Sequence, residues 1–200
     1  MRFAPLAYLL ILASPAGADC VSRLDIERGI EARFDDGGRA LMRREIGGTV
    51  RIDEIPAGGG PVIRSLLARG LWEFRSFDLG PDGWPVEGSR LETLYPVEPG
   101  RLPEPRAGLE WTGWATPVFE ELVLRSDTLA VEVRERMPLA LDGCSYEALE
   151  VEMRVERGTE GAMRLRYLYL PDLGAGFLLE RGAEGEDGQR RALTGLAVRR

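Results

Sequence analysis

Over much of this chain apolar and polar residues alternate with a period of two. Ile30, Ala32 and Phe34 interleave with Glu31, Arg33 and Asp35. Asp36-Gly37-Gly38 then supplies turn chemistry before a second run from Arg39 to Ile46, and Gly47-Gly48 separates that from a third around Val50 and Ile52. Such alternation marks half-buried strands, and Gly or Asp-Gly between them marks hairpins. Leu71 to Phe77 is a further strand-like run with three aromatics, closed by the turn Gly80-Pro81-Asp82-Gly83. Beyond Leu109 the pattern predicts strands over 110–116, 119–124, 129–137, 145–156, 163–170 and 177–181.

The clearest alternation sets Leu149, Val151, Met153 and Val155 against Glu150, Glu152, Arg154 and Glu156. One apolar face and one charged face describe an antiparallel sheet with a solvated side. Arg164 and Arg166 on the next strand are placed to lie opposite those glutamates. Helix signals are few. Residues 20–29 read as a short helical turn or an irregular lead-in, and 62–68 (VIRSLLA) carries the best helical pattern, although it is short enough to lead instead into the strand after Gly70. Prolines at 96, 99, 103 and 105 make a rigid, donor-poor stretch that reads as a long crossing loop. The pattern therefore predicts a mainly β single domain: a curved antiparallel sheet, half-barrel or sandwich, with little helix.

The first residues follow a different rule. Arg2 supplies a positive charge, residues 3–13 are almost continuously apolar, and Ala16-Gly17-Ala18 is a small-residue cleavage site. This is the layout of a secretory signal peptide over 1–18, which leaves 19–200 as the exported domain, with the periplasm as its expected compartment. The apolar run is too short to span a bilayer, so the mature chain is not expected to be membrane-spanning. Cys20 stands where a lipidated cysteine could, but Asp19 replaces the small residue such processing favours. Cys20 and Cys144 are the chain's two cysteines, and in an oxidising compartment they have one intramolecular pairing, a Cys20–Cys144 disulfide.

Composition then narrows the chemistry. The 200 residues contain no His, all 26 basic residues are Arg, Asn is absent, and Gln189 is the single Gln. Without His or Lys the chain has no imidazole base, no imidazole metal ligand and no Schiff-base amine. The formal charge of −7 argues against nucleic acid as a partner. Carboxylate pairs such as Asp35-Asp36 and Glu120-Glu121 read as solvated surface, and neither acidic loop, 78–82 or 184–187, has the spacing of a calcium loop. The expectation is a protein without catalytic residues, metal or cofactor.

Residues 131–181 carry a resemblance. A strand ending in Met137-Pro138, then Gly143-Cys144-Ser145-Tyr146 opening an amphipathic strand, then Tyr169-Leu170-Pro171-Asp172-Leu173-Gly174 closing the next, loosely resembles uncharacterised bacterial periplasmic β-rich proteins of a curved half-barrel type, akin to lipoprotein carriers. The resemblance implies a bent antiparallel sheet around an apolar concavity and no catalytic residue.

Aromatic residues are the remaining candidates for a site. Trp72, Trp111 and Trp114 offer large contact area with a polar handle and are the expected ligand-binding residues. Trp111 and Trp114, three apart, face opposite ways in a regular strand unless Gly113 makes a bulge. The function expected from these features is a non-catalytic periplasmic protein that binds a hydrophobic small molecule or peptide in an aromatic-lined concavity. The alternative is a structural or assembly protein of the envelope that binds another envelope protein.

Overall fold

The computed structural model describes residues 20–158 and 161–199, so the expected signal peptide lies outside the described residues. Among them a four-residue helix, α1 (Asp25–Arg28), precedes a chain of strands: β1 (Ile30–Phe34), β2 (Arg39–Arg44), β3 (Val50–Ile55), β4 (Val62–Ala68), β5 (Trp72–Leu79), β6 (Leu91–Leu94) and β7 (Glu110–Phe119). After β7 come β8 (Leu122–Val123), β9 (Asp127–Leu141), β10 (Cys144–Glu156), β11 (Ala162–Leu170), β12 (Ala175–Ala183), β13 (Gln189–Arg190) and β14 (Leu193–Val198). Every pairing is antiparallel. The order β13-β12-β11-β10-β9-β7-β6-β5-β4-β3-β2-β1-β14 forms one open sheet, with β8 paired to β7 off that path. The expected mainly β, antiparallel class is what the chain adopts.

The fold departs from the expected helical pattern at 62–68. This segment is β4, hydrogen-bonded to β3 on one side and β5 on the other. Seven residues are too few for a stable helix on propensity alone; two flanking ladders satisfy the backbone from Ile63 to Leu67, and the branched side chains of Val62 and Ile63 suit the pleat. β9 also runs further than expected. It continues through Pro138, which sits opposite Glu147, as far as Leu141. The expected strand at 119–124 is instead the end of β7 and the two-residue β8, joined at Glu120-Glu121.

The sheet curls on itself because β7 divides its pairing: Glu110 to Ala115 pair with β9, and Thr116 to Phe119 pair with β6. The β10–β11 ladder is regular, so its even and odd positions face opposite ways. Tyr146, Ala148, Leu168 and Leu170 face a first core, shared with Ile30, Met42, Val50 and Ile52 from the opposite end of the sheet. Leu149, Val151, Met153 and Tyr169 face a second core, shared with Leu71, Trp72, Leu102 and Leu129. Buried neighbours such as Ala148-Leu149 and Leu168-Tyr169 mark where one strand serves both.

Cys20 and Cys144 form the expected disulfide, with Cα atoms 5.6 Å apart and 124 residues between them in sequence. Closing so long a loop restricts the unfolded chain by about 5 kcal/mol on the chain-entropy model. The bond holds the lead-in over the first core, where the Val21 N–H donates to the Tyr146 hydroxyl at 3.1 Å. It also occupies the Cys20 sulfur, so the disulfide and lipidation are mutually exclusive.

Two tight turns join the halves. The Gly176 N–H donates to the Gly70 carbonyl at 2.8 Å, and the turn Pro171 to Gly174 closes on Leu170. Gly70 has φ +68°, and a Cβ there would sit 2.1 Å from the Gly174 carbonyl oxygen, so backbone meets backbone at a point no side chain fits.

Candidate functional site

On the odd face of β10 and β11, beyond the second core, the curl leaves a cavity of about 570 Å³. Its volume falls within the roughly 300–1,000 Å³ of typical small-molecule sites. Buried Leu71, Ala115, Leu129 and Met153 form the deepest part of the wall. Leu91, Val155, Met163, Leu165 and Leu178 extend it from four different strands. The wall is a product of alternation, since Met153 and Val155 of β10 and Met163, Leu165 and Tyr167 of β11 are the apolar face of the amphipathic pattern.

Polar groups enter the wall at a few points. Glu73 projects from β5, and its carboxylate accepts hydrogen bonds from Ser65 Oγ at 2.7 Å and Ser76 Oγ at 2.9 Å. Burial among protein groups pushes its carboxyl above the usual glutamate range, against the opposing pull of the two serines and Arg181. The side chain nevertheless keeps some solvent access, through the cavity it lines. Burial likewise drives the Tyr95 and Tyr167 phenols far up, with Glu73 adding to both. Tyr95 donates to the Glu73 carbonyl at 2.8 Å.

Arg125, Arg157 and Arg181 also line the cavity, and all three are exposed. Arg157 lies 3.7 Å from the carboxylate of buried Asp127. Arg181 reaches the cavity because of a bulge in β12. Arg166 faces Glu180 and Tyr167 faces Leu178, so Leu179 is an extra residue, and both Leu178 and Arg181 turn inward. The same bulge sends Glu180 to the outer face. There Arg164, Arg166 and Arg190 approach it at 3.0, 3.1 and 3.2 Å and leave its side chain 4% exposed. Burial raises the Glu180 pKa, but Arg166, Arg190 and Arg164 outweigh it and hold the carboxyl below its usual range.

This outer ladder refines the expected pairing across β10 and β11. Arg166 sits opposite Glu152, but Arg164 sits opposite Arg154, a like charge. Arg164 instead pairs with Glu180, while Arg166 reaches both Glu150, at 3.8 Å, and Glu180.

The three expected binding tryptophans divide. Trp72 is fully buried and donates from Nε1 to the Pro103 carbonyl at 2.8 Å, which pins the proline-rich crossing loop. Trp111 stacks edge-on against Trp72 with ring centroids 5.0 Å apart. Its indole covers Gly113, where a Cβ would lie 2.5 Å from the ring. The register from Glu110 to Ala115 is regular, so Gly113 makes no bulge. Trp114 therefore faces away from Trp111 and is 46% exposed. None of the three belongs to the cavity wall, whose aromatic members are Tyr95 and Tyr167. Trp72 and Trp111 form the aromatic packing of the second core.

The arrangement defines an open, curled, all-antiparallel sheet whose limbs, β5–β7 and β9–β12, enclose a cavity with an apolar wall and several polar groups. Among the described residues no helix is long and apolar enough to cross a membrane. No family model matches the chain, and no curated protein matches it. Among solved structures the chain is similar to the crystal structure of the hypothetical lipoprotein YmcC from Escherichia coli, at 13% identity, 80% coverage of each chain and a TM-score of 0.42. That degree of likeness says nothing about what this chain binds.

Proposed function

We propose that this is a non-catalytic protein of the bacterial envelope, exported to the periplasm, that holds a hydrophobic small molecule in the cavity between β5–β7 and β9–β12. The observation that carries the reading is the cavity itself. Apolar side chains from strands far apart in sequence line about 570 Å³ of space that the protein's own core does not fill. Filling it would have been cheap, because close packing favours side chains over voids and each enclosed void is destabilising. Export is supported by the layout of residues 1–18 and by the Cys20–Cys144 disulfide, a bond suited to an oxidising compartment. A non-catalytic role is supported by the lack of His and Lys and by Glu73, whose carboxylate is engaged by two serine hydroxyls.

A second reading, a protein-binding role in envelope assembly, is favoured by exposed Phe119, Trp114, Leu122 and Val123 on β7 and β8. Native mass spectrometry of the protein purified from periplasm separates the two. A copurifying apolar small molecule on a chain that has lost residues 1–18 and two hydrogens supports the first reading. A stoichiometric protein partner with no small molecule overturns it.

A further inference from the structure

The charges around the cavity are sorted in a way the whole chain is not. Acidic residues outnumber basic ones, 33 to 26, yet every exposed charged residue of the wall is an arginine: Arg125, Arg157 and Arg181. The two acids of the wall are withdrawn. Asp127 is buried beside Arg157, and Glu73 is hydrogen-bonded by Ser65 and Ser76. Arg125 and Arg181 make no ion pair among the described residues, while most other arginines of the outer face are matched to glutamates. The Arg125 guanidinium rests over Gly158, where a Cβ would lie 2.5 Å away, so that glycine leaves it room beside the cavity.

Guanidiniums without an ion pair among the described residues, set beside an apolar wall, are suited to a ligand with two ends. The planar fork of Arg binds carboxylate or phosphate oxygens in bidentate fashion, and its weak hydration keeps desolvation costs low. Buried Leu71, Leu129 and Met153 provide the surface for the other end. We propose that the cavity takes an acyl amphiphile with an anionic headgroup, its tail against the apolar wall and its headgroup against Arg125 and Arg181. The proposal rests on the cavity reading above and assigns the ligand's chemical class.

Three probes with the same eighteen-carbon chain test it: oleate, oleoyl lysophosphatidate and neutral monoolein, each titrated below its aggregation concentration into the full mature protein. The expected result is that one or both anions bind roughly tenfold or more tightly than monoolein at low ionic strength, with the gap shrinking as salt rises. The tighter anion identifies the headgroup as carboxylate or phosphate. In the double variant Arg125→Gln, Arg181→Gln, with its folding confirmed by circular dichroism, the gap between anion and monoolein closes. Equal affinity for all three probes, or a gap that the double variant leaves intact, overturns the headgroup assignment and leaves the cavity reading standing. Binding of none of the three contradicts the cavity reading itself.

Discussion

The β10–β11 ladder has two faces with opposite fates. Its even face is closed at one end, at Tyr146, Ala148, Leu168 and Leu170, by β1–β3 and by the disulfide at Cys144, and turns charged and solvent-facing beyond, at Glu150, Glu152, Arg164 and Arg166. Its odd face is closed at Leu149, Val151 and Tyr169, but opens into the cavity at Val155, Met163 and Leu165. At these buried positions the residue types are alike on both faces. What differs is what the rest of the sheet brings opposite them: paired strands over the first, and the divided strand β7 with the short strand β6 over the second. An apolar alternation specifies which side of a strand avoids water, and the topology decides whether that side meets a core or a cavity.

The comparison is sharpest with the same substitution on each face. Leu170→Ala removes a fully buried side chain from the closed core and is expected to cost about 2–5 kcal/mol, since the neighbours relax only partly around the hole. Leu165→Ala enlarges a space that already exists, leaving mainly the transfer term for a partly buried side chain, about 1 kcal/mol. Urea unfolding of the two variants measures the difference. Equal costs would mean that the cavity is closed in solution.

A smaller effect comes from Glu73. Its carboxyl titrates above the ordinary glutamate range in the folded protein, so the folded state holds its proton more tightly than the unfolded chain does. Stability from this group is therefore lost as pH rises from the unfolded carboxylate pKa, about 4.3, towards the higher folded value. Glu73→Gln removes that loss. The variant is expected to gain on the wild type between pH 4.5 and neutrality in paired urea titrations, and a constant difference across that window would mean that Glu73 is not desolvated. Glu180 responds in the opposite sense. Its lowered pKa makes its contribution present above the ordinary carboxylate range and lost in acid.

Much of this fold was legible in the sequence because alternation is local. The amphipathic run Leu149 to Glu156, the Asp36-Gly37-Gly38 hairpin and the crossing loop at Pro96 to Pro105 all depend on neighbours in the chain. The disulfide followed from a count of two cysteines. β4 was misleading because a seven-residue apolar segment carries either period, and only its two partner strands decide. The cavity was illegible for a related reason: its wall draws one to three residues from each of seven strands between β5 and β12, and Arg181 joins it only through the extra Leu179. Trp72 and Trp111 looked like binding residues because indoles serve cores and sites equally well. The one signal available was Gly113, small enough to let Trp111 lie flat on its own strand.

The central claim is that the space between the limbs accepts an apolar molecule, and filling it tests this most directly. A neutral environment-sensitive fluorophore such as 1-aminoanthracene, titrated into the mature protein and into Leu165→Trp, reads occupancy without involving the arginines. The account predicts saturable binding at one site per chain in the wild type, and its loss in the variant while the circular dichroism spectrum is unchanged. Undiminished binding by a folded Leu165→Trp protein, or no binding by the wild type, would contradict it.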